Sequence, residues 1–218
     1  MTPPLDYAAL AKAFLAAQLA GDRRSAVSLI VESAERGASI VSLQADVIAA
    51  AQTEIGRLWQ ANKVSIAQEH LATSISQLAL ARLFDCAPHP TPNGKLVYVA
   101  CVQGEMHDMP ARLFADFLDH AGFSVRYFGP DVPTPDLVAS VQTQRPDLLA
   151  LSVTMSFNVG SLRAAVTEVR AIAPDLPIAV GGHAVRWSDS VVSELGVVTA
   201  PSDPTSLIEF AKAQTGLA

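Results

Sequence analysis

The chain has 218 residues, half of them hydrophobic and 17% charged, enough to bury a substantial core in one large domain or two small ones. Its net charge of −6 is carried without any basic stripe, which excludes the electrostatic footprint of a direct nucleic-acid binder. No apolar run reaches the roughly 18 to 20 residues of a membrane helix. The N-terminal "MTPPLDYAAL" has no basic stretch leading into an apolar one, and the expectation is a cytoplasmic protein without a signal peptide. Cys86 and Cys101 have neither a metal-ligand spacing nor the look of a disulfide framework, so both are expected as reduced thiols.

The first part of the chain predicts helices only. "PPLDYAALAKAFLAAQLAG" ends at Gly21, and "DRRSAVSLIVESAERG" starts at a possible cap, Asp22, and ends at Gly37. "SIVSLQADVIAAAQTEIGRLWQAN" sets Leu43, Val47, Ile48, Ala51, Ile55 and Leu58 near helical spacing. "SIAQEHLATSISQLALARLFDCA" follows, with Ser65 as candidate cap. Four helices joined by short turns predict a small bundle over residues 1–87. "PHPTPNG", residues 88–94, is rich in proline and reads as a linker.

Residues 95–218 alternate. Strands are predicted at "KLVYVACV", "FSVRYFG", "LLALSV", "PIAVGG" and, more weakly, "GVVTA". Helical stretches lie between them at 110–121, 134–144, 159–173 and 186–195. Such alternation, with near-continuous apolar strands, predicts a five-stranded parallel sheet of flavodoxin-like, doubly wound topology. Ligands bind such sheets beyond the carboxyl ends of the strands.

His107 in "VQGEMHDMPARLF" falls at that edge, between the first strand and its helix. Three roles are open to it: a solvated or capping histidine, a catalytic base oriented by Glu105, or a metal ligand whose second ring N–H is held by Glu105. No other histidine, cysteine or acid cluster completes a protein-only metal site, so a metal here would arrive inside a cofactor. Small residues at Ser152, Gly181 and Gly182 open a deep slot at the same edge. The chain has no GxGxxG or GxxxxGK[ST] motif for a nucleotide.

With these motifs in order, Glu105-x-His107-x-x-Pro110, then Ser152 and Ser156, then Gly181 and Gly182, the chain resembles the cobalamin-binding superfamily. The family has Asp-x-His-x-x-Gly where this chain has Glu105 and Pro110. The resemblance implies a helical cap followed by a Rossmann-like cobalamin-binding domain. It also implies His107 as the lower ligand of cobalt, and a dimethylbenzimidazole tail in the slot lined by Ser152, Ser156, Gly181 and Gly182. The glycines are expected to admit the tail because they carry no side chain.

Trp59, then nine residues, then Glu69-His70 resembles the signature of CarH-type adenosylcobalamin light sensors. There the Trp covers the upper face of the cofactor and the Glu and His border the adenosyl group. "GPDVPTPDL", with Asp131 and Val132, is similar to the corrin-contact loop of that family. Gln60 stands where those sensors have a second histidine. The resemblance implies a non-enzymatic, light-responsive regulator that holds adenosylcobalamin in the dark and hydroxocobalamin after light. Residues 1–20 are short for a helix-turn-helix, so the expected output is through a protein partner such as a transcription repressor. In size and arrangement the chain is similar to the stand-alone AerR antirepressors. Methyl-carrying corrinoid subunits and plain cobalamin binders share the architecture and remain as alternatives.

Overall fold

The computed structural model describes residues 5–88, 90–186 and 189–217. Pro3 and Pro4 of the first predicted helix, His89 of the predicted linker, and residues 187 and 188 of the last predicted helix lie outside the described residues. The chain divides into two compact units, Met1–Pro88 and His89–Ala218.

The first unit is helical throughout: α1 (Tyr7–Leu19), α2 (Arg23–Glu35), α3 (Ile40–Ser42), a π-helical segment (Leu43–Ala49), α4 (Ala50–Gln60) and α5 (Ile66–Phe84). Side chains that can accept from the first free N–H groups set the starts. Asp6 caps α1 through Ala9 N–H, and Asp22 caps α2 through Ser25 N–H. Ser65 caps α5 in a reciprocal box with Gln68. Gly21 and Gly37 end the first two helices with positive φ. The third predicted helix is a single helical run interrupted by the π segment, a feature that even apolar spacing does not reveal. Phe14, Ile30, Leu43, Ile48, Ile55, Ile75, Leu80 and Leu83 are fully buried and form the core of this unit.

The second unit is built from β1 (Leu96–Val102), α6 (Met109–His120), β2 (Ser124–Val132), α7 (Thr134–Thr143), β3 (Leu148–Ser152), a 3-10 turn (Ser156–Asn158), α8 (Val159–Ile172), β4 (Ile178–Gly181), α9 (His183–Arg186), α10 (Asp189–Leu195), β5 (Val198–Thr199) and α11 (Pro204–Thr215). The sheet is parallel in the order β2-β1-β3-β4-β5, the flavodoxin-like arrangement expected. β1 and β3 are central and almost wholly buried, while edge strand β2 is largely exposed along its length. That is why the central strands are continuous apolar runs. α7 packs with α8 over one face, and α11 packs with α6.

α11 is absent from the sequence reading. Its punctuation is present: Asp203 accepts from Ser206 N–H, Pro204 opens the first turn, and Gly216 closes the helix with φ 72°. The strand order reverses between β1 and β3, so the loops after these two strands diverge and leave a crevice where ligands sit in this class of sheet. Among the described residues, no helix is long and apolar enough to cross a membrane.

Candidate functional site

The loops after β1 and β3 are joined by one carboxylate. Glu105 is fully buried. Its Oε1 accepts from the His107 backbone N–H at 2.9 Å and lies 2.7 Å from His107 Nδ1. Its Oε2 accepts from the backbone N–H groups of Thr154 and Met155, both at 2.9 Å, and from Asn158 Nδ2 at 3.1 Å. Burial alone would raise this carboxyl. Hydrogen bonds from Met155, His107 and Asn158 outweigh burial and hold it down at about 2.

A carboxylate can only accept, so it selects the Nδ1–H form of neutral His107. The Nε2 lone pair is then the free donor of the ring. The His107 side chain is 55% exposed. An imidazole fixed at one nitrogen by a buried carboxylate, with the other nitrogen available, is the arrangement of a metal-ligating histidine. Glu105 reaches His107 despite being longer than the aspartate of the family motif.

Further contacts brace the loop. Asp131, at a positive φ of 49°, accepts from Gly104 N–H at 2.6 Å and donates its own N–H to the Glu105 carbonyl at 2.9 Å. One of its carboxylate oxygens is thus already engaged in supporting the loop. Val132, the last residue of β2, is partly buried and packs against the sheet core. Tyr127 O–H donates to Asp108 Oδ2 at 3.0 Å, next in sequence to His107. Burial, then the Asp108 charge, pushes that phenol up. Burial, followed by the charges of Asp108 and Glu105, pushes the Cys101 thiol up to about 12. Cys101 therefore stays a thiol and does not compete as a ligand.

A slot of about 310 Å³, its open mouth included, lies between α6 and strands β1, β3 and β4. Val99, Pro110, Phe114, Ser152, Gly181 and Gly182 are among its walls. Pro110 sits in the first turn of α6, where a missing N–H costs nothing. Ser152 is buried, and its Oγ has no partner other than the weakly bonding Cys101 thiol beside it. A buried hydroxyl in that state is poised for a polar atom of a ligand.

The two glycines differ. A Cβ on Gly181 would meet nothing within 4 Å. Gly182 has φ 99°, and a Cβ there would fall 2.2 Å from the Val153 carbonyl oxygen. Gly182 therefore serves the close approach of β3 and β4, in addition to opening the slot, and a side chain there disturbs the backbone. Ser156 is exposed in the 3-10 turn and is not among the slot's walls. β3 ends at Ser152, and the turn carries Ser156 outward.

In the helical unit, Trp59 lies near the end of α4 and is 43% exposed. Glu69 and His70 are in the first turn and a half of α5, with His70 Nε2 3.5 Å from Glu69 Oε2. Thr73 Oγ1 donates to Glu69 Oε1 at 2.8 Å.

Sequence reading missed Asn158, the Thr154 and Met155 amides and Tyr127. It also missed Met106 and Phe157, large apolar side chains exposed in the loops after β1 and β3.

The B12 binding domain family matches residues 95–201, and a second B12 binding domain family matches residues 10–84. The chain is similar to the HTH-type transcriptional repressor CarH of Myxococcus xanthus, with 34% identity over 155 residues, 70% of this chain and 50% of the repressor. It spans about half the length of both the CarH and CarA repressors it matches. It is also similar to dimethylamine corrinoid protein 1 of Methanosarcina acetivorans, 23% identical over 175 residues, 78% of this chain and 82% of that protein. Among solved structures, the monomethylamine corrinoid protein of Methanosarcina barkeri superposes with a TM-score of 0.76 at 17% identity, over 93% of this chain and 97% of that one, a likeness of fold.

Proposed function

We propose that this chain, which belongs to the B12 binding domain family, is a cobalamin-dependent, light-responsive regulator that works in the cytoplasm through a protein partner such as a repressor. The observation that carries the cofactor reading is His107, tied through Nδ1 to buried Glu105 and left with Nε2 as a free donor. The slot supports the same reading for the other end of the cofactor. Its apolar walls suit an aromatic base, its open Gly181 leaves room for one, and the buried Ser152 hydroxyl, with only a thiol beside it, offers a hydrogen bond to a ring nitrogen. When bound, adenosylcobalamin supplies an organocobalt bond that light breaks. The protein's part would be to hold cobalt through His107, to seat the tail, and to meet the organic ligand of cobalt through Trp59, Glu69 and His70.

The regulator reading is favoured by the Trp59 and Glu69-His70 pattern and by the higher identity to CarH. A second reading, a corrinoid subunit carrying a methyl group in a methyltransferase system, is favoured by the similarity to dimethylamine corrinoid protein 1, which runs over 175 residues of this chain. Two measurements separate them, namely dark affinities for adenosylcobalamin and methylcobalamin, and limited proteolysis of the loaded protein before and after green light. The regulator reading expects a preference for the adenosyl form and a light-dependent cleavage pattern. Equal affinities with an unchanged pattern contradict it and favour the methyl carrier.

A further inference from the structure

Five side chains of the helical unit form one directed chain of hydrogen bonds. Gln18 Nε2 donates to Ser76 Oγ at 2.8 Å. Ser76 O–H donates to Gln52 Oε1 at 3.1 Å. Gln52 Nε2 donates to Thr73 Oγ1, and Thr73 O–H donates to Glu69 Oε1 at 2.8 Å. The chain crosses from α1 through α5 and α4 and back to α5. Its inner members are deeply buried, with Gln18 at 1% and Ser76 at 0% exposure. At its deep end Gln18 also donates to the Ala72 carbonyl at 2.8 Å, while Gln18 Oε1 is buried without a hydrogen-bond partner.

The direction is not arbitrary. A carboxylate accepts only, so Thr73 must give it the hydroxyl proton. Thr73 can then only accept from Gln52, which fixes the Gln52 amide with its oxygen toward Ser76. Ser76 must donate to that oxygen and accept from Gln18. Each bond polarises the next in the same sense, toward Glu69. Apolar residues of similar volume would fill these positions at less risk, because a buried polar chain is costly wherever one member is left unpaired. Leaving Gln18 Oε1 unsatisfied is the cost that this chain carries.

We infer that Thr73, Gln52, Ser76 and Gln18 are positioning residues that hold the Glu69 carboxylate in one orientation, and so make the helical unit selective for an upper ligand bearing a ribose diol. This rests on the reading of Glu69 as a contact of the upper ligand. Glu69 is at the unit's surface, with its side chain 25% exposed, and an unanchored glutamate there would sample many rotamers. The Thr73 bond spends one oxygen on the relay and leaves Oε2, beside His70, for a hydroxyl donor. A small upper ligand such as hydroxide has no diol to read, so its binding does not depend on the relay.

The test uses the whole chain with Thr73→Val, Thr73→Ser, Gln52→Leu and Glu69→Ala. Dark affinities for adenosylcobalamin and hydroxocobalamin are measured on each, with the melting temperature and the Gln18 side-chain amide NMR signal of the cofactor-free protein. The expected result is that Thr73→Val and Gln52→Leu lower the preference for adenosylcobalamin by about tenfold, the scale of one hydrogen bond to a charged group. Thr73→Ser should retain the preference, hydroxocobalamin affinity should be unchanged in the Thr73 and Gln52 variants, and the Gln18 amide signal should move in Thr73→Val. A merely structural network would lower the melting temperature and both affinities together, and that outcome overturns the inference. If Glu69→Ala loses the preference while Thr73→Val keeps it, Glu69 acts without the relay and the inference alone fails. If Glu69→Ala keeps the preference, the reading of Glu69 falls and the inference with it.

Discussion

Five donors converge on the two oxygens of Glu105: the His107 N–H and Nδ1–H, the Thr154 and Met155 amides, and Asn158 Nδ2. Replacing Glu105 by Ala leaves these groups without their acceptor, Asn158 in a buried place and the others partly buried, and each donor left unpaired in a buried place costs about 1 to 3 kcal/mol. Glu105→Ala is therefore expected to destabilise the protein by about 3 kcal/mol or more, read by denaturant unfolding, and to weaken cobalamin retention because His107 loses its orientation. A loss below about 1 kcal/mol would show that the two loops hold their shape without it. At the slot, the contrast between the glycines gives a paired prediction. Gly181→Val places its side chain in open space, so it should block cobalamin with stability changed by no more than about 0.5 kcal/mol, as for a tolerated surface change. Gly182→Ala collides with the Val153 carbonyl and takes a φ that L residues avoid. It should lose stability before binding can be judged. Tight cobalamin binding by Gly181→Val would show that the tail lies elsewhere.

At the scale of elements, α4 and α5 present the upper-ligand candidates. Trp59 is 43% exposed, so Trp59→Ala should cost about 1 kcal/mol or less rather than the 3 to 5 typical of a buried aromatic. It should reduce the preference for adenosylcobalamin over hydroxocobalamin. A large drop in melting temperature with unaltered preference would make Trp59 ordinary packing. What could be read from the chain follows from how local each signal is. The caps Asp22 and Ser65, the glycine stops and the apolar strands act within a few residues, and all were legible. α11 was not, because only Leu207, Ala211 and Thr215 of its helix are buried and its apolar stripe is thin. The π segment leaves the inward positions Leu43, Val47 and Ile48 in place, so spacing alone cannot detect it. At the site, His107 and Glu105 were legible from their motif and position. Asn158 and the Thr154 and Met155 amides were not, for they lie about 50 residues away and two of them act through backbone. Ser156 lies in the exposed 3-10 turn after β3, a turn that apolar spacing does not reveal. The relay from Gln18 to Glu69 joins residues more than 50 positions apart, beyond any periodic pattern.

For the whole molecule, the acidic balance bears on output. With a net charge of −6 and no basic stripe to neutralise phosphates, the chain alone should not shift DNA at moderate salt, dark or lit. A steeply salt-dependent gel shift would contradict action through a partner. The central claim is that His107, and no nitrogen of the cofactor's own tail, holds cobalt from below. Electron paramagnetic resonance of the reduced, cobalt(II) form tests it directly in protein labelled with 15N-histidine. A ligating histidine nitrogen converts the superhyperfine splitting from a triplet to a doublet, and His107→Ala should abolish that doublet and weaken retention of the cofactor. A triplet that survives labelling, with the same spectrum in His107→Ala, would contradict the account.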